Sequence, residues 1–281
     1  MPLIFSRRAI VSFKQNKVAI VGLVLVVLLI LIAVFADFLA PYDVREQDVR
    51  HRLEEAGAQH WLGTDALGRD VLSRIIIGSR VSLLVGIISI SFAMAVGIWL
   101  GILGGYKGGR IDNIVTRIID TMMAFPSLLL GLLVVSALGP GLRNTIIAIG
   151  LAFVPRFARV ARGSTIVIKE SEYIMASQAA GASDGRIILL HIIPNLVGEI
   201  VVMGSLWVAT AIIIESSFSF LGLGVQPPTP SWGMMIKSGV DEILMAPWLA
   251  VYPGLAISIA VLAFNLIGDG MRDLLDPKML R

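Results

Sequence analysis

Few side chains in this 281-residue sequence could do chemistry, and their spacing narrows the choice further. The three histidines, His51, His60 and His191, lie far apart and cysteine is missing, so no metal site is expected. His191 reads as a packing or capping residue. Neither H-E-x-x-H nor G-x-S-x-G occurs, and no catalytic residue is expected. The stretch nearest to a phosphate-binding loop, "GGYKGG" at 104–109, lacks the Ser or Thr that should follow the lysine. The chain therefore has no recognisable means to bind or hydrolyse ATP. What remains is a pair of acids, Asp120 and Glu215, each inside a long apolar run. An ionised acid facing lipid near the bilayer centre costs about 2.5–3.5 kcal/mol. A central leucine or valine returns only about 0.3–0.6 kcal/mol. Each acid should therefore face protein or a watery path. Either the two line that path or they bond across helices, Asp120 with Arg117 one turn earlier; bracing is the favoured reading for both.

The elements that must position these residues are membrane helices. Charged residues make up 15% of the chain and hydrophobic ones 56%, where a soluble domain carries about 25% charge. Apolar runs near twenty residues long recur at 18–35, 81–105, 113–138, 144–162, 195–222 and 247–268, giving six candidate spans in an all-α integral membrane protein. The fourth is the weakest, since Pro155, Arg156 and Arg159 crowd its end. The first exceeds the apolar core of a signal peptide and reads as an uncleaved anchor over 18–40, after a basic segment 1–17. With the N-terminus inside, cytoplasmic segments hold 15 Lys and Arg against 8 outside, which places both termini in the cytoplasm. Residues 41–79 then form an extracytoplasmic segment and 270–281 a cytoplasmic tail. Trp61, Trp232 and Trp248 fall near the outer interface, where aromatic belts anchor. The net charge of +3 is not a nucleic-acid footprint, and no nucleic-acid partner is expected.

One cytoplasmic stretch stands apart, "EYIMASQAAGASDGRIILLHIIPN" at 172–195. Ala176, Ser177, Ala179 and Ala180 give a helix with small side chains, onto which another surface can pack closely. Gly181 can end that helix with a positive φ. After Ala182, Ser183 and Asp184 suit the cap and first turn of a second helix, apolar almost all round, which should tuck beneath the spans. Pro194 is expected to start the next span, where its missing N–H costs little. An ordinary amphipathic linker would also fit these residues.

Gly181 followed nine residues later by "HIIP" at 191–194 resembles the EAA loop of binding-protein-dependent ABC importers. Met175 stands where that pattern has its Glu, followed by Ala176 and Ser177, with Glu172 one turn earlier. "HWLGTDALGRDVLSRIIIGSRVSL" (60–83), "GGRIDNIVTRIIDTMMAFPSLLL" (108–130), "SFLGLGVQPPTPSWGMMI" (219–236) and "AFNLIGDGMRDLLDP" (263–277) are similar to the second permease subunit of peptide and nickel importers. The resemblance runs from about residue 7 to the C-terminus. It implies a type I importer permease domain over 80–269, with the coupling loop at about 170–193. It also implies a distinct permease partner, two ATPase subunits that supply ATP and magnesium chemistry, and an extracytoplasmic solute-binding protein. Residues 172, 175–177, 179–184 and 194 would couple to the ATPase. Short peptides lead as the implied cargo, followed by nickel or a metal chelate, then glutathione or sugars. Two other classes stay open, a stand-alone secondary transporter and a non-transporting scaffold. The dissimilar halves of the chain count against an inverted-repeat transporter.

Overall fold

The computed structural model describes residues 16–275. Most of the expected N-terminal segment and the last six residues of the tail lie outside the described residues. Among the described residues, beside a single helical turn at Ala36–Leu39, ten helices carry the fold: α1 (Lys17–Val34), α2 (Val71–Lys107), α3 (Gly109–Met123), α4 (Ser127–Leu138), α5 (Leu142–Lys169), α6 (Glu172–Ala179), α7 (Asp184–Ile187), α8 (Ile193–Phe220), α9 (Trp232–Asp241) and α10 (Trp248–Leu275). A π-turn, Ile188–Ile192, joins α7 to α8. Among the described residues there is no strand, only one isolated bridge, Thr64 to Asp70. Five helices are long and apolar enough to cross a membrane: α1, α2, α5, the run from Asp184 to Phe220, and α10.

The helices alternate in direction, so 107–109 and 169–187 meet at one end of the bundle, called lower here. Residues 36–70, 138–142 and 220–247 gather at the upper end. Gly141 N–H donates to the Gly224 carbonyl there at 3.0 Å, and the indole of Trp232 donates to the Ile75 carbonyl at 3.0 Å. Trp232 is 1% exposed. It is a core anchor at the upper end, not the belt residue expected from its position, because the short α9 folds it inward against α2.

α2 is the central column, and it begins ten residues before its apolar run. Asp70 caps it, accepting from Ser73 N–H at 2.8 Å, Ser73 Oγ at 2.7 Å and His60 Nδ1 at 2.9 Å. Further along, Gly97, Gly101 and Gly105 recur every four residues and form one bare strip. A Cβ at these positions would sit 2.8, 2.5 and 2.8 Å from the carbonyl oxygens of Val154, Ala158 and Arg162 on α5. The two backbones therefore touch directly at three points across about two turns, as small residues allow in membrane helices. α1 docks on α10 in the same way, with Gly22 against the backbone of Ile267 and Gly270 against Ala19. Arg80 holds the other end of α1, donating Nε to the Ala33 carbonyl at 2.7 Å and Nη2 to the Val34 carbonyl at 3.1 Å.

The third expected span is not one straight helix. α3 and α4 meet at 92°, with Pro126 at the turn. α3 carries Arg110, Asp112, Arg117 and Asp120 within fifteen residues, too many charges for lipid. It buries only Val115 and Ile119, against Ala158 of α5. If the bent pair counts as one span, the total is six. The fourth span runs unbroken through Pro155.

Gly101→Ala forces a methyl into the Ala158 carbonyl and should cost about 1–3 kcal/mol. Gly163→Ala, where an added Cβ meets nothing within 4 Å, should be neutral or mildly stabilising. Thermal unfolding of the two variants in detergent, against the parent, measures the difference.

Candidate functional site: the lower-end elbow

The stretch 172–195 folds as an elbow at the lower end. α6 ends in a full Schellman motif. Gly181 N–H donates to the Gln178 carbonyl at 2.9 Å, and Ala182 N–H donates to the Ser177 carbonyl at 3.0 Å. Gly181 has φ +81°, and a Cβ there would meet nothing within 4 Å. Glycine is required by the left-handed backbone and not by lack of room. Ala182 packs against the main core while Ala176, Ala179, Ala180 and Gly181 stay exposed. Ile174 is the one fully buried residue of α6. Glu172 and Met175 face outward, Met175 at 51% exposure. Ser177 turns its hydroxyl onto its own helix, at 2.8 Å from the Tyr173 carbonyl. The small-residue face is thus presented and nothing within the described residues covers it.

Ser183 stands at the N-cap of α7 with extended backbone, but its side chain makes no capping bond. Asp184 reaches away to α2 instead, accepting from Tyr106 Oη at 3.0 Å and from Lys107 Nζ at 2.8 Å. Lys169, at the end of α5, donates to the Tyr106 carbonyl at 2.7 Å. The elbow is therefore tied to the lower ends of both central helices. The spacing of Tyr106, Lys107 and Asp184, nearly eighty residues apart, gives no hint of this tie.

One expectation for the second half of the elbow is corrected. Ile187 and Ile192 are buried, but Leu189 and Leu190 are each 58% exposed, so this segment is not tucked in on all sides. Pro194 stands in the first turn of α8, as expected, though the chain reaches it from α7 through a π-turn and not through a break. Helix runs from Asp184 to Phe220, and the π-turn lies directly before the proline. The wider turn removes the need for the N–H that Pro194 lacks and relieves its ring of the carbonyl one turn back. His191 packs edge-on against Tyr173, with ring centroids 6.0 Å apart. Asn195 Nδ2 donates to the His191 carbonyl at 2.6 Å.

The two acids of the apolar runs are both bonded. Asp120 pairs with Arg159 of α5 at 2.6 Å, not with Arg117, and both partners are more than half exposed. α3 packs by Val115 and Ile119, and this brings its acid face to α5 where Arg159 is closer than its own turn. Asp112 makes a second such pair, a two-pronged contact with Arg162, whose Nη2 lies 2.6 Å from Oδ2. Glu215 is fully buried between α8 and α2. Its carboxyl accepts from Ser82 Oγ at 2.9 Å and from Ser219 Oγ at 2.7 Å. Arg156, Arg159 and Arg162 follow one another every three residues on α5. In the sequence only the crowding of a span end stands out, and the periodicity itself could have marked them.

The comparisons agree with this architecture. Residues 97–281 match the family model described as binding-protein-dependent transport system inner membrane component. Residues 5–56 match the N-terminal transmembrane domain of oligopeptide transport permease C. The chain is 46% identical over 273 residues to a dipeptide transport system permease protein of Alkalihalophilus pseudofirmus, covering 97% of this chain and 90% of the relative. It is 45% identical over 268 residues to a glutathione transport system permease protein of Pectobacterium atrosepticum, covering 95% and 89%. Its fold is similar to a chain of the MetNI methionine ABC transporter in an inward-facing conformation. That likeness has a TM-score of 0.59 and 17% identity, covering 72% of this chain and 96% of the other.

Glu215→Ala should leave the Ser82 and Ser219 hydroxyls unpaired in a dry site, at a cost of about 1–3 kcal/mol. Glu215→Gln keeps an acceptor for one of them and should cost less. The unfolding midpoints of the purified variants give the comparison.

Proposed function

The chain belongs to the family of binding-protein-dependent transport system inner membrane components, and we propose that it carries peptides inward as one half of an ATP-driven importer. Dipeptides or short oligopeptides are the first reading of the cargo, supported by the 46% identity to a dipeptide permease. Glutathione is the second, supported by the glutathione permease relative. Both are peptides with a free carboxylate.

In this reading a paralogous permease completes the pathway, a solute-binding protein delivers cargo at the upper end, and two ATPase subunits hold ATP and magnesium. Both termini and the elbow lie in the cytoplasm, in keeping with the excess of Lys and Arg on that side. The exposed face of Ala176, Ala179, Ala180 and Gly181 is the observation that carries the proposal. It is a smooth convex surface on a short helix, backed by buried Ile174 and tied to α2 through Asp184. A groove on an ATPase can seat it closely, with Ser177, Ser183 and the outward Glu172 and Met175 at its margins. Closure of the ATPases around ATP moves the seated elbow. The elbow moves α2 and α8 as one body, and the pathway changes the side to which it opens. Asp120, with Arg159, lines the inner part of that pathway, and Glu215 braces α8 on α2.

The chain holds no cysteine, so a single introduced thiol reports without background from this subunit. Ala176→Cys should crosslink to the ATPase subunit in the assembled complex, and uptake in proteoliposomes should need internal ATP. Uptake by this chain alone, driven by an ion gradient, would overturn the reading. Gly181→Ile forces a β-branched residue to positive φ. It should cut uptake roughly tenfold while leaving much of the ATPase rate, a ratio measured in the same vesicles.

A further inference from the structure

At the upper end the chain closes around a polar cavity that neither the elbow nor the seam of α3 and α5 touches. It measures about 150 Å³ and lies between the 65–69 turn, the start of α2, α9 and the start of α10. Asp65, Arg69 and Arg74 supply its charge, and Val71, Met235 and Leu249 its apolar wall. The apolar run of α2 begins only at residue 81, so the cavity stands clear of the lipid-facing part of that helix.

Two cations share one acid in this cavity. Asp65 Oδ1 accepts from the backbone N–H groups of Leu67 and Arg69 at 2.9 and 3.1 Å. Its Oδ2 takes Nε and Nη2 of Arg69, each at 2.7 Å, with Nε of Arg74 further off at 3.4 Å. Arg74 Nη1 donates to the Val44 carbonyl at 3.2 Å. Nη1 of Arg69 and Nη2 of Arg74 have no hydrogen-bond partner among the described residues, and neither atom is closed off from solvent. The next acid, Asp70, cannot serve them, because Ser73 and His60 occupy both of its oxygens. The two arginine side chains are only 15% and 7% exposed. A surplus cation behind low-dielectric walls focuses its field on the opening and draws an anion in.

We propose that this cavity is a carboxylate-binding site, with Nη1 of Arg69 and Nη2 of Arg74 as the donors that receive the ligand. The planar guanidinium edge matches the two oxygens of a carboxylate. The wall of Val71, Met235 and Leu249 suits a short hydrocarbon stem, which an inorganic anion lacks. A cavity of about 150 Å³ takes a molecule the size of benzene. A carboxylate with a short stem therefore fits and a whole peptide does not, so the site is independent of the cargo. Two sources present such a group at the upper end: an acidic side chain of the proposed solute-binding protein, or a free short-chain carboxylate in solution. In either case the ligand bridges the 65–69 turn and α2 to α9, where Ser238 stands on the same cavity.

The test titrates the full chain in detergent with sodium propionate, against sodium chloride at equal ionic strength. At roughly ten times the half-saturating concentration, propionate should raise the unfolding midpoint by roughly 3–5 °C over chloride. Arg74→Lys keeps the charge but not the planar edge, and should move half-saturation up roughly tenfold. Ser238→Glu places a carboxylate at the cavity itself. It should raise the midpoint without propionate and abolish the response, while Ser238→Gln should give no such rise. The absence of a propionate-specific shift in the parent overturns the inference, and so does an equal gain from Ser238→Glu and Ser238→Gln. If Arg74→Lys does not fold, the Ser238 pair decides alone. The assembled complex separates the sources. Propionate that weakens docking of the solute-binding protein severalfold assigns the carboxylate to that protein, and unchanged docking assigns it to a free acid.

Discussion

The close approach of α2 and α5 is the constraint from which the rest of the molecule follows. In a bilayer there is little hydrophobic gain in moving a side chain from lipid to a helix contact, so packing between surfaces must hold helices together. Gly97, Gly101 and Gly105 let the two longest-packed helices touch at their backbones. This contact fixes both the axial register and the rotation of α5. Rotation sets where Arg156, Arg159 and Arg162 point, and register brings Lys169 to the lower end of α2 beside Tyr106. The elbow that follows Lys169 then leaves α5 at a defined place. A looser contact would leave the arginines and the elbow without fixed positions.

What makes the elbow rigid is a separate matter. The Lys107–Asp184 pair is about half exposed on each side, and a pair of that kind contributes little stability of its own. Its value is orientation. The holding contribution comes from Ile174, Ile187 and Ile192, all fully buried, each worth about 1.5–3 kcal/mol on burial. The π-turn before Pro194 carries the last of these into α8 without a break. A push on the exposed face of α6 is therefore taken up by the isoleucines and passed into α8, while Asp184 resists sliding relative to α2.

Much of this was legible in the sequence. Hydropathy located α1 and α8 within two residues at both ends and the starts of α5 and α10, whose helices run seven residues beyond the apolar runs, because a long apolar run has few other stable forms in a membrane. Gly181 was legible too, since small residues followed by a lone glycine suit an α6 that ends in a left-handed turn. What escaped depended on distant partners. Asp120 finds Arg159, 39 residues away, in place of Arg117, and no local pattern encodes the choice. The α3–α4 bend combines a charge density that argues against lipid with a proline that permits the turn, and hydropathy averaged the two into one span. The glycine strip on α2 was present as a four-residue repeat, but its meaning needed the facing carbonyls of α5. The start of α8 at Pro194 was legible, but the π-turn that joins it to α7 was not, because nothing in one dimension separates a helix start from a helix that continues through a wider turn.

The distribution of charge completes the argument. Membrane helices can bear ionised groups where those groups are paired, hydrated or used. α1 and α10 expose apolar residues along the stretches that face outward, and their charges lie near the ends. α3 and α5 carry theirs further along their length, with Asp112–Arg162 and Asp120–Arg159 paired across the shared seam and the Arg156 guanidinium stacked on Trp207 and Phe153. That unequal arrangement sorts the surface of the bundle into a side made for lipid and a side that lipid cannot cover. The second side has to meet another polypeptide or water. In the proposed half-pathway both would follow together, with a second permease subunit closing the seam and water filling what remains between them.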